Sequence, residues 1–453
     1  GDTAGAGQAM LRLGQTHHAA FDFSAASAAY ATGFGLLAQQ PAWSAVAAPG
    51  AGRRAARLIP QTLDPAADDG RDAWLIDQLF CGLVAEGPDM TIVPDIAADW
   101  QVEAAGRIYT FRLRRDVAWS DGAPVTAADF AFAWRRALDP ATAAPFARLL
   151  GDIAGAAALL AGETIQSDQL GVQVLDPFTL RVTLAEPVNS FLYVLAHRVA
   201  FAVPRHALAQ HGRAWSAPAH LVSNGPFRLA AWQQGKALTL ERNADYHAPA
   251  TGRLAGNVGR VEVTLLTDWE EQAPLYEAGQ LDVLALHRLP RTKAVHLHRR
   301  HAGEFSSVPD LRVDYLAFDT RRPPFDDARV RRAFVLATDR AHLAAARLFG
   351  YDSPATGGFI PPNLPGHAAD TALPYAPGQA QQVAGKQHGA GPHQEAGTGR
   401  GADQPHAGFL LFDQDLPTGK LLAKRYLPIG SNNFDARRMG STRHHESFRA
   451  LPN

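Results

Sequence analysis

The sequence predicts an α/β protein of two or three domains, on the basis of three observations. The chain has 453 residues, and a single hydrophobic core rarely grows beyond about 250–300 residues. Strand-like and helix-like patterns alternate from Arg57 to about Tyr375, which is the order typical of α/β proteins. Hydrophobic residues make up 46% and charged residues 19% of the chain, as in globular proteins.

The first 56 residues are rich in Ala and Gly and show only a weak pattern. We therefore expect residues 1–56 to form a poorly ordered leader, and ordered structure to begin at Arg57. No basic start followed by an apolar stretch and a cleavage site is visible, so a signal peptide is not predicted from this segment. No run of eighteen apolar residues suggests a membrane span.

Residues 107–140 predict a strand, a turn and a helix. Tyr109, Phe111 and Leu113 alternate with polar residues, as a half-buried strand requires. Ser120-Asp121-Gly122 predicts the turn. Thr126 and Asp129 form a capping-box pattern at the start of a helix with an apolar stripe, and Asp139-Pro140 ends that helix.

Two later segments are equally regular. Gly225-Pro226 precedes a strand, Gln234-Gly235 predicts a turn, and the apolar alternation on the return predicts a hairpin. Asp326 or Asp327 is expected to cap a helix with Val330, Phe334 and Ala337 on its buried stripe. Beyond Gln379 the chain becomes rich in Gly, His and Gln and loses its large apolar residues, so residues 383–453 are predicted to be a low-complexity, irregular tail.

Four collinear segments resemble family 5 extracellular solute-binding proteins, the receptors of ABC importers for peptides, nickel and oligosaccharides. They are QTLDPAADDGRDAWLIDQLFCGLV (61–84), YTFRLRRDVAWSDGAPVTAADFAFAWRRALDP (109–140), SNGPFRLAAWQQGKALTLERNADYH (223–247) and YLAFDTRRPPFDDARVRRAFVLATDR (315–340). A fifth short match, IPPNLPG (360–366), follows at the spacing that the family shows.

The resemblance implies a two-lobed periplasmic-binding-protein-like fold of type II with an extra inserted subdomain. Residues 57–87 and 178–285 would form lobe I, residues 88–177 the inserted subdomain, and residues 286–382 part of lobe II. The family continues well beyond the last matched helix, so the second lobe is expected to be incomplete. Changes of reading frame near residues 57 and 380 would explain both unmatched ends.

The resemblance also implies a receptor that closes over its ligand by a hinge motion, and not an enzyme. Its ligand would be an oligopeptide, a dipeptide or another small solute, held without a cofactor. Its partner would be the membrane permease of the importer. The receptor itself would be a monomer and would lie outside the cytoplasmic membrane.

Eight residues are the candidates for ligand binding that follow from the resemblance. The loop after "LDP" would line one side of the cleft and offer its backbone to an extended ligand. A solvated turn is the alternative for this loop. The segment 277–290 would form a second wall, and two aromatic residues elsewhere are further candidates, although core packing stays open for these. The candidates are Asp68, Asp69, Gly70, Arg71, Trp269, Leu286, His287 and Phe318.

The residues themselves give little support to other functions. A formal net charge of −1 provides no general attraction for nucleic acid. No catalytic motif of a hydrolase or nucleotide-binding enzyme is present, and the lone Cys81 lies in an apolar run that favours a packed thiol. His296 and His298 would share a strand face, yet no third metal ligand of clear geometry accompanies them. A nickel or oligosaccharide receptor of the same family, and a truncated receptor without function, stay open as alternatives.

Overall fold

The computed structural model describes a large part of the chain in thirteen segments and three single residues. These are residues 2–38, 50–56, 62–70, 73–87, 90–163, 166, 169–246, 258–286, 289–306, 313, 315–346, 354–358, 360, 367–368, 371–385 and 410–411. The chain divides into two compact units: unit 1 comprises Gly1–Ser307 with Asp415–Thr418, and unit 2 comprises Val308–Gln414 with Gly419–Asn453. No helix within the described residues is long and apolar enough to cross a membrane.

The helices and strands alternate along most of the chain. The helices are α1 (Thr3–Ala19), α2 (Phe23–Leu37), α3 (Ala73–Leu79), α4 (Ala127–Leu138), α5 (Ala156–Leu160), α6 (Phe191–Ala196), α7 (Arg205–His211), α8 (Gln272–Glu277), α9 (Arg291–Arg300), α10 (Ala328–Ala337), α11 (Arg340–Ala346) and α12 (Pro377–Gly385). The strands are β1 (Gly50–Ala56), β2 (Val84–Glu86), β3 (Ile92–Pro94), β4 (Ala97–Glu103), β5 (Ile108–Leu113), β6 (Val172–Asp176), β7 (Thr179–Thr183), β8 (Phe227–Gln233), β9 (Ala237–Arg242), β10 (Val258–Leu265), β11 (Leu316–Ala317) and β12 (Leu410–Leu411).

The first large sheet of unit 1 has the strand order β4-β5-β7-β6, with all neighbours antiparallel. Its central strand β5 buries Tyr109, Phe111 and Leu113, as the alternating pattern predicts. Helix α4 covers this region, and the backbone N–H of Thr126 donates to the Asp129 carboxylate at 2.8 Å. The predicted capping box is therefore confirmed, and the helix ends at Leu138, one residue before Asp139-Pro140.

The second large sheet has the order β1-β10-β9-β8. The predicted hairpin is confirmed: β8 and β9 pair in antiparallel register around a turn with Gly235 at φ 73°. Gly225 packs against the end of α3, because a Cβ there would lie 2.4 Å from the carbonyl carbon of Leu79. The Gly225 amide also donates to the Leu79 carbonyl oxygen at 2.8 Å, which fixes the start of β8 against the helix.

Residues 1–56 differ from the prediction of a poorly ordered leader. Helices α1 and α2 form a packed hairpin, with Leu11 and Tyr30 at 0% and 1% exposure. The ring of Tyr30 lies 5.3 Å from the ring of Trp100 on β4, so the hairpin covers one side of the first sheet. Strand β1 pairs in parallel with β10, so ordered structure begins before Arg57. The prediction fails because the hairpin packs largely through Gly and Ala, which leave little hydrophobic periodicity in the sequence.

Unit 2 contains α10, α11 and α12 together with the short pair β11–β12. Asp327 caps α10 as predicted, since its carboxylate accepts from the backbone N–H of Arg329 at 2.8 Å. The fully buried positions of α10 are Ala333 and Leu336. Of the predicted stripe, Val330 and Phe334 are half-buried and Ala337 is exposed, so the prediction was wrong at Ala337. Helix α12 packs against these buried positions, since Ala380 is buried in one cluster with Ala333 and Leu336. The predicted irregular tail lies outside the described residues, apart from the end of α12 and β12.

Candidate ligand-binding site

The loop of residues 62–70, called here the anchored loop, is shaped by hydrogen bonds among its own residues. The Ala66 amide donates to the Asp64 carboxylate at 3.0 Å, and the Gly70 amide donates to the Asp68 carboxylate at 3.1 Å. Both are Asx turns, in which a short carboxylate side chain takes the place of a backbone acceptor. Gly70 has φ +94°, a left-handed conformation that glycine adopts without strain.

Two ion pairs hold the anchored loop to the body of unit 1. The Arg136 guanidinium on α4 donates to both oxygens of Asp64, one at 3.0 Å and the second in a shorter contact. The Arg198 Nε donates to Asp68 at 2.7 Å, and its Nη1 lies 3.4 Å from Asp77 on α3. Because the side chain of Asp68 is 2% exposed, its charge depends on Arg198 for stabilisation.

His197 lies next to this cluster of charges. Burial and, to a smaller extent, the neighbouring positive charge of Arg198 lower its pKa to about 4, while Asp68 acts in the opposite direction. The backbone N–H of Val199 donates to His197 Nδ1 at 3.2 Å, which requires that nitrogen to be unprotonated. The imidazole is therefore neutral at neutral pH, and the positive charge paired with Asp68 is that of Arg198.

The predicted residues of the loop have different environments. Asp68 is buried and both of its oxygens have partners within unit 1, so its side chain serves the loop itself. Asp69 is half-buried and Gly70 is exposed, with no atom within 4 Å of a Cβ built there. Arg71 lies outside the described residues. The part of the loop that faces solvent is thus the backbone around residues 69–70, and its binding role stays a prediction.

The remaining candidates are distributed over both units. In unit 1, Trp269 packs half-buried against the cluster of Leu266 and Leu281, and Leu286 is half-buried. In unit 2, Phe318 stacks within an aromatic cluster, with its ring 4.9 Å from that of Phe325. His287 lies outside the described residues. Trp269 and Phe318 both pack against neighbouring side chains, which agrees with the packing role that the sequence left open. Ligand contact by either residue stays a prediction.

Sequence reasoning missed one pair of residues in unit 1, Arg54 and Trp74. Arg54 on β1 places its guanidinium carbon 4.1 Å from the ring centroid of Trp74 on α3, the helix that begins at Ala73. Burial lowers the pKa of Arg54. The pair was missed because Arg54 fell within the segment predicted to be disordered, and nothing in the local pattern separates it from Arg53.

An apolar cavity of about 310 Å³ adjoins the anchor of the loop. Phe132, Leu208 and Trp215 contribute to its lining, and Arg136 also borders it. Since Arg136 pairs with Asp64, the cavity and the anchored loop share this arginine. The cavity belongs wholly to unit 1.

The histidines predicted to share a strand face do not do so. His296 and His298 lie on helix α9, where residues two apart project in different directions. His298 packs its ring 4.4 Å from that of Phe305. Within the described residues, no group of three or more His, Cys, Asp and Glu side chains has an arrangement that could hold a metal ion.

Comparison with known proteins assigns the family. The sequence model described as "Bacterial extracellular solute-binding proteins, family 5 Middle" matches residues 91–390, which is more than half of the chain. The chain belongs to this family. The family prediction made from the four collinear segments is therefore confirmed.

Relatives of this family 5 protein include two from Escherichia coli K12. The chain is 37% identical over 315 residues to the probable deoxycholate-binding periplasmic protein YgiS, covering 69% of this chain and 57% of the relative. It is 35% identical over 285 residues to the periplasmic oligopeptide-binding protein OppA, covering 62% of this chain and 51% of the relative. The chain thus spans about half the length of these two relatives.

Solved structures of the family show the same fold. The E. coli murein tripeptide binding protein MppA matches with a TM-score of 0.62 and 30% identity, covering 76% of this chain and 67% of that one. OppA of Burkholderia pseudomallei matches with a TM-score of 0.61 and 27% identity, covering 74% and 65%. The prediction of an α/β periplasmic-binding-protein fold is confirmed.

Proposed function

We propose that this family 5 protein is the receptor of an ABC importer and binds oligopeptides or dipeptides. The relatives support this, since OppA is named an oligopeptide-binding protein and MppA a murein peptide-binding protein. The protein would work by binding and not by catalysis, as a monomer outside the cytoplasmic membrane, and would deliver its ligand to a membrane permease.

The observation that carries the proposal is the anchored loop. Two buried carboxylates, Asp64 and Asp68, are each paired with an arginine from a distant part of unit 1, so the loop backbone is held in one conformation. A backbone that is already fixed loses little entropy when it pairs with an extended peptide. Main-chain hydrogen bonds give affinity without demanding particular side chains, which suits a receptor for peptides of varied sequence.

A thermal-shift titration of the purified chain with a panel of di- to pentapeptides tests the proposal. A peptide at about 100 times its Kd stabilises the folded state by roughly 2.7 kcal/mol, which a rise in melting temperature reports. Absence of any stabilisation across the panel, with a chain that melts cooperatively, contradicts the proposal.

A pair of glycine variants tests the part played by the anchored loop. Gly70→Val places a branched side chain at φ +94° and distorts the exposed backbone, so peptide binding should weaken. Gly162→Val is the matched control, since Gly162 also has a positive φ of 83° and open space around it but lies outside the loop. An equal loss of affinity in both variants would show that the loop has no specific role in peptide binding.

A second candidate ligand is a steroid carboxylate. The relative YgiS, at 37% identity over 315 residues, is named a probable deoxycholate-binding protein. Deoxycholate therefore forms a second arm of the same titration. Stabilisation by deoxycholate without stabilisation by any peptide would favour this candidate.

A further inference from the structure

Arg54 differs from every other arginine that the structure describes. The other half-buried arginines in the described residues each contact a carboxylate or a backbone carbonyl, as Arg136 and Arg198 do. Arg54 is half-buried, yet among the described residues its guanidinium contacts neither kind of acceptor and lies only over the ring of Trp74. Its five N–H donors are thus left without a protein acceptor in the described part of the chain.

The contrast with the adjacent residue makes the difference clear. Arg53 donates to both oxygens of Asp282, at 2.7 Å from Nη2 and 3.1 Å from Nε, and also to the carbonyl oxygen of Gly279. Arg53 and Arg54 are adjacent on the edge strand β1, so their side chains project to opposite faces of the sheet. One guanidinium is fully engaged, while the other keeps its hydrogen-bonding edge available.

The chemistry of the Arg54 guanidinium indicates which kind of group should pair with it. A guanidinium removed from water without an anion is unfavourable, and an aromatic face compensates only in part. The planar fork of arginine matches the two oxygens of a carboxylate, and the pair is strengthened when water is partly excluded. Trp74 also holds the guanidinium plane in place, so less side-chain entropy is lost when an anion binds.

We propose that Arg54, held over Trp74, binds the carboxylate group of the ligand. This inference rests on the proposed receptor function and names a specificity-determining residue within it. The carboxylate would be the C-terminal group of a peptide or the acid group of a steroid such as deoxycholate. In either case the ligand must carry an anion that reaches Arg54.

Paired ligands that differ only in this charge test the proposal. The affinity of the wild-type chain is measured by calorimetry for one peptide as the free acid and as the C-terminal amide, and for deoxycholate and its methyl ester. A charge-assisted hydrogen-bond pair of this kind should make the acid bind about 10- to 100-fold more tightly than its neutral partner. The ligand series that shows this preference identifies the source of the carboxylate.

Three variants assign the preference to Arg54. Arg54→Met keeps an unbranched apolar stem over Trp74 and should bind acid and neutral ligand equally, at the weaker affinity. Arg54→Lys restores the charge without the planar fork and should recover part of the preference. Arg53→Met is the matched control and should keep the wild-type preference, because its guanidinium is occupied by Asp282.

The outcomes separate the inference from the proposed function. A wild-type chain that binds neither peptides nor deoxycholate overturns the proposed function and the inference with it. A chain that binds them but does not distinguish acid from amide or ester overturns only the inference. The same holds if Arg54→Met melts normally and still prefers the acid.

Discussion

Replacing Asp68 by alanine tests whether the anchored loop depends on its ion pair with Arg198. The two side chains are 2% and 18% exposed, so the pair is mostly shielded from water. Removing one partner of a buried pair costs about 3–5 kcal/mol, because the other charge is left without compensation. Arg198 keeps a weaker contact with Asp77 at 3.4 Å, so we expect the lower end, about 3 kcal/mol.

Urea unfolding of the full chain, followed by tryptophan fluorescence, measures this loss. Arg198→Met alone should cost a similar amount, whereas the double variant should lose at least about 1 kcal/mol less than the sum of the two single losses. Glu186→Ala is the control, since its pair with Arg107 is 79% and 47% exposed and should contribute less than about 1 kcal/mol. An Asp68→Ala variant as stable as this control, or single losses that simply add, would refute the reasoning.

Three further predictions concern packing and pH. Gly225→Ala should destabilise by roughly 2–3 kcal/mol, because its Cβ meets backbone at 2.4 Å, whereas Gly303→Ala, with open space, should be neutral in the same urea assay. Gly14→Val should lower the melting temperature and loosen the α1–α2 hairpin, since a Cβ there lies 2.5 Å from a tyrosine ring of α2; an unchanged melting temperature would contradict the packed hairpin. Burial lowers the pKa of His18 and of His197 from 6.5 to about 4, so the unfolded chain binds two more protons than the folded chain between these values. Stability should therefore fall as pH is lowered through this window, by roughly 3 kcal/mol per histidine at its lower end, and unfolding titrations that show no such slope would contradict the burial.

The elements predicted correctly from the sequence are those in which one local signal dominates. From Tyr109 to Leu113, strand β5 alternates between apolar and polar residues, and the structure buries the apolar set. Helix α4 has a capping box at one end and Asp139-Pro140 at the other, so its limits follow from residues adjacent to it. The hairpin β8–β9 has its glycine where the turn needs a positive φ.

The elements that were missed depend on contacts between distant residues. Helices α1 and α2 approach each other through Gly7 and Gly33, so their interface is made of backbone as much as of side chains. A pattern of small residues carries little hydrophobic signal, and the sequence alone does not distinguish it from a disordered segment. In α10, the buried register is set by packing against α12, which lies some forty residues further along the chain.

The candidate site also depends on contacts between residues that are distant in the sequence. Arg198 is 130 positions from Asp68 in the sequence, and Arg136 is 72 positions from Asp64. The resemblance placed Asp68 among the residues that line the cleft, whereas the structure buries its side chain within unit 1. Family resemblance located the loop, but only the structure shows which of its groups are already occupied by the protein.

The distribution of charges around the anchored loop has a further consequence for stability. Asp64 and Asp68 are neutralised by arginines, so substituting them should weaken the fold. Arg54 has no such partner within the described residues, so replacing it with methionine removes a half-buried charge at the cost of one cation–π contact worth about 0.5–1 kcal/mol. We therefore expect Arg54→Met without ligand to melt no lower than the wild type, while losing the acid preference of binding. A fold-supporting role for Arg54 predicts the opposite, a lower melting temperature with the preference retained, and differential scanning calorimetry beside the ligand titration separates the two.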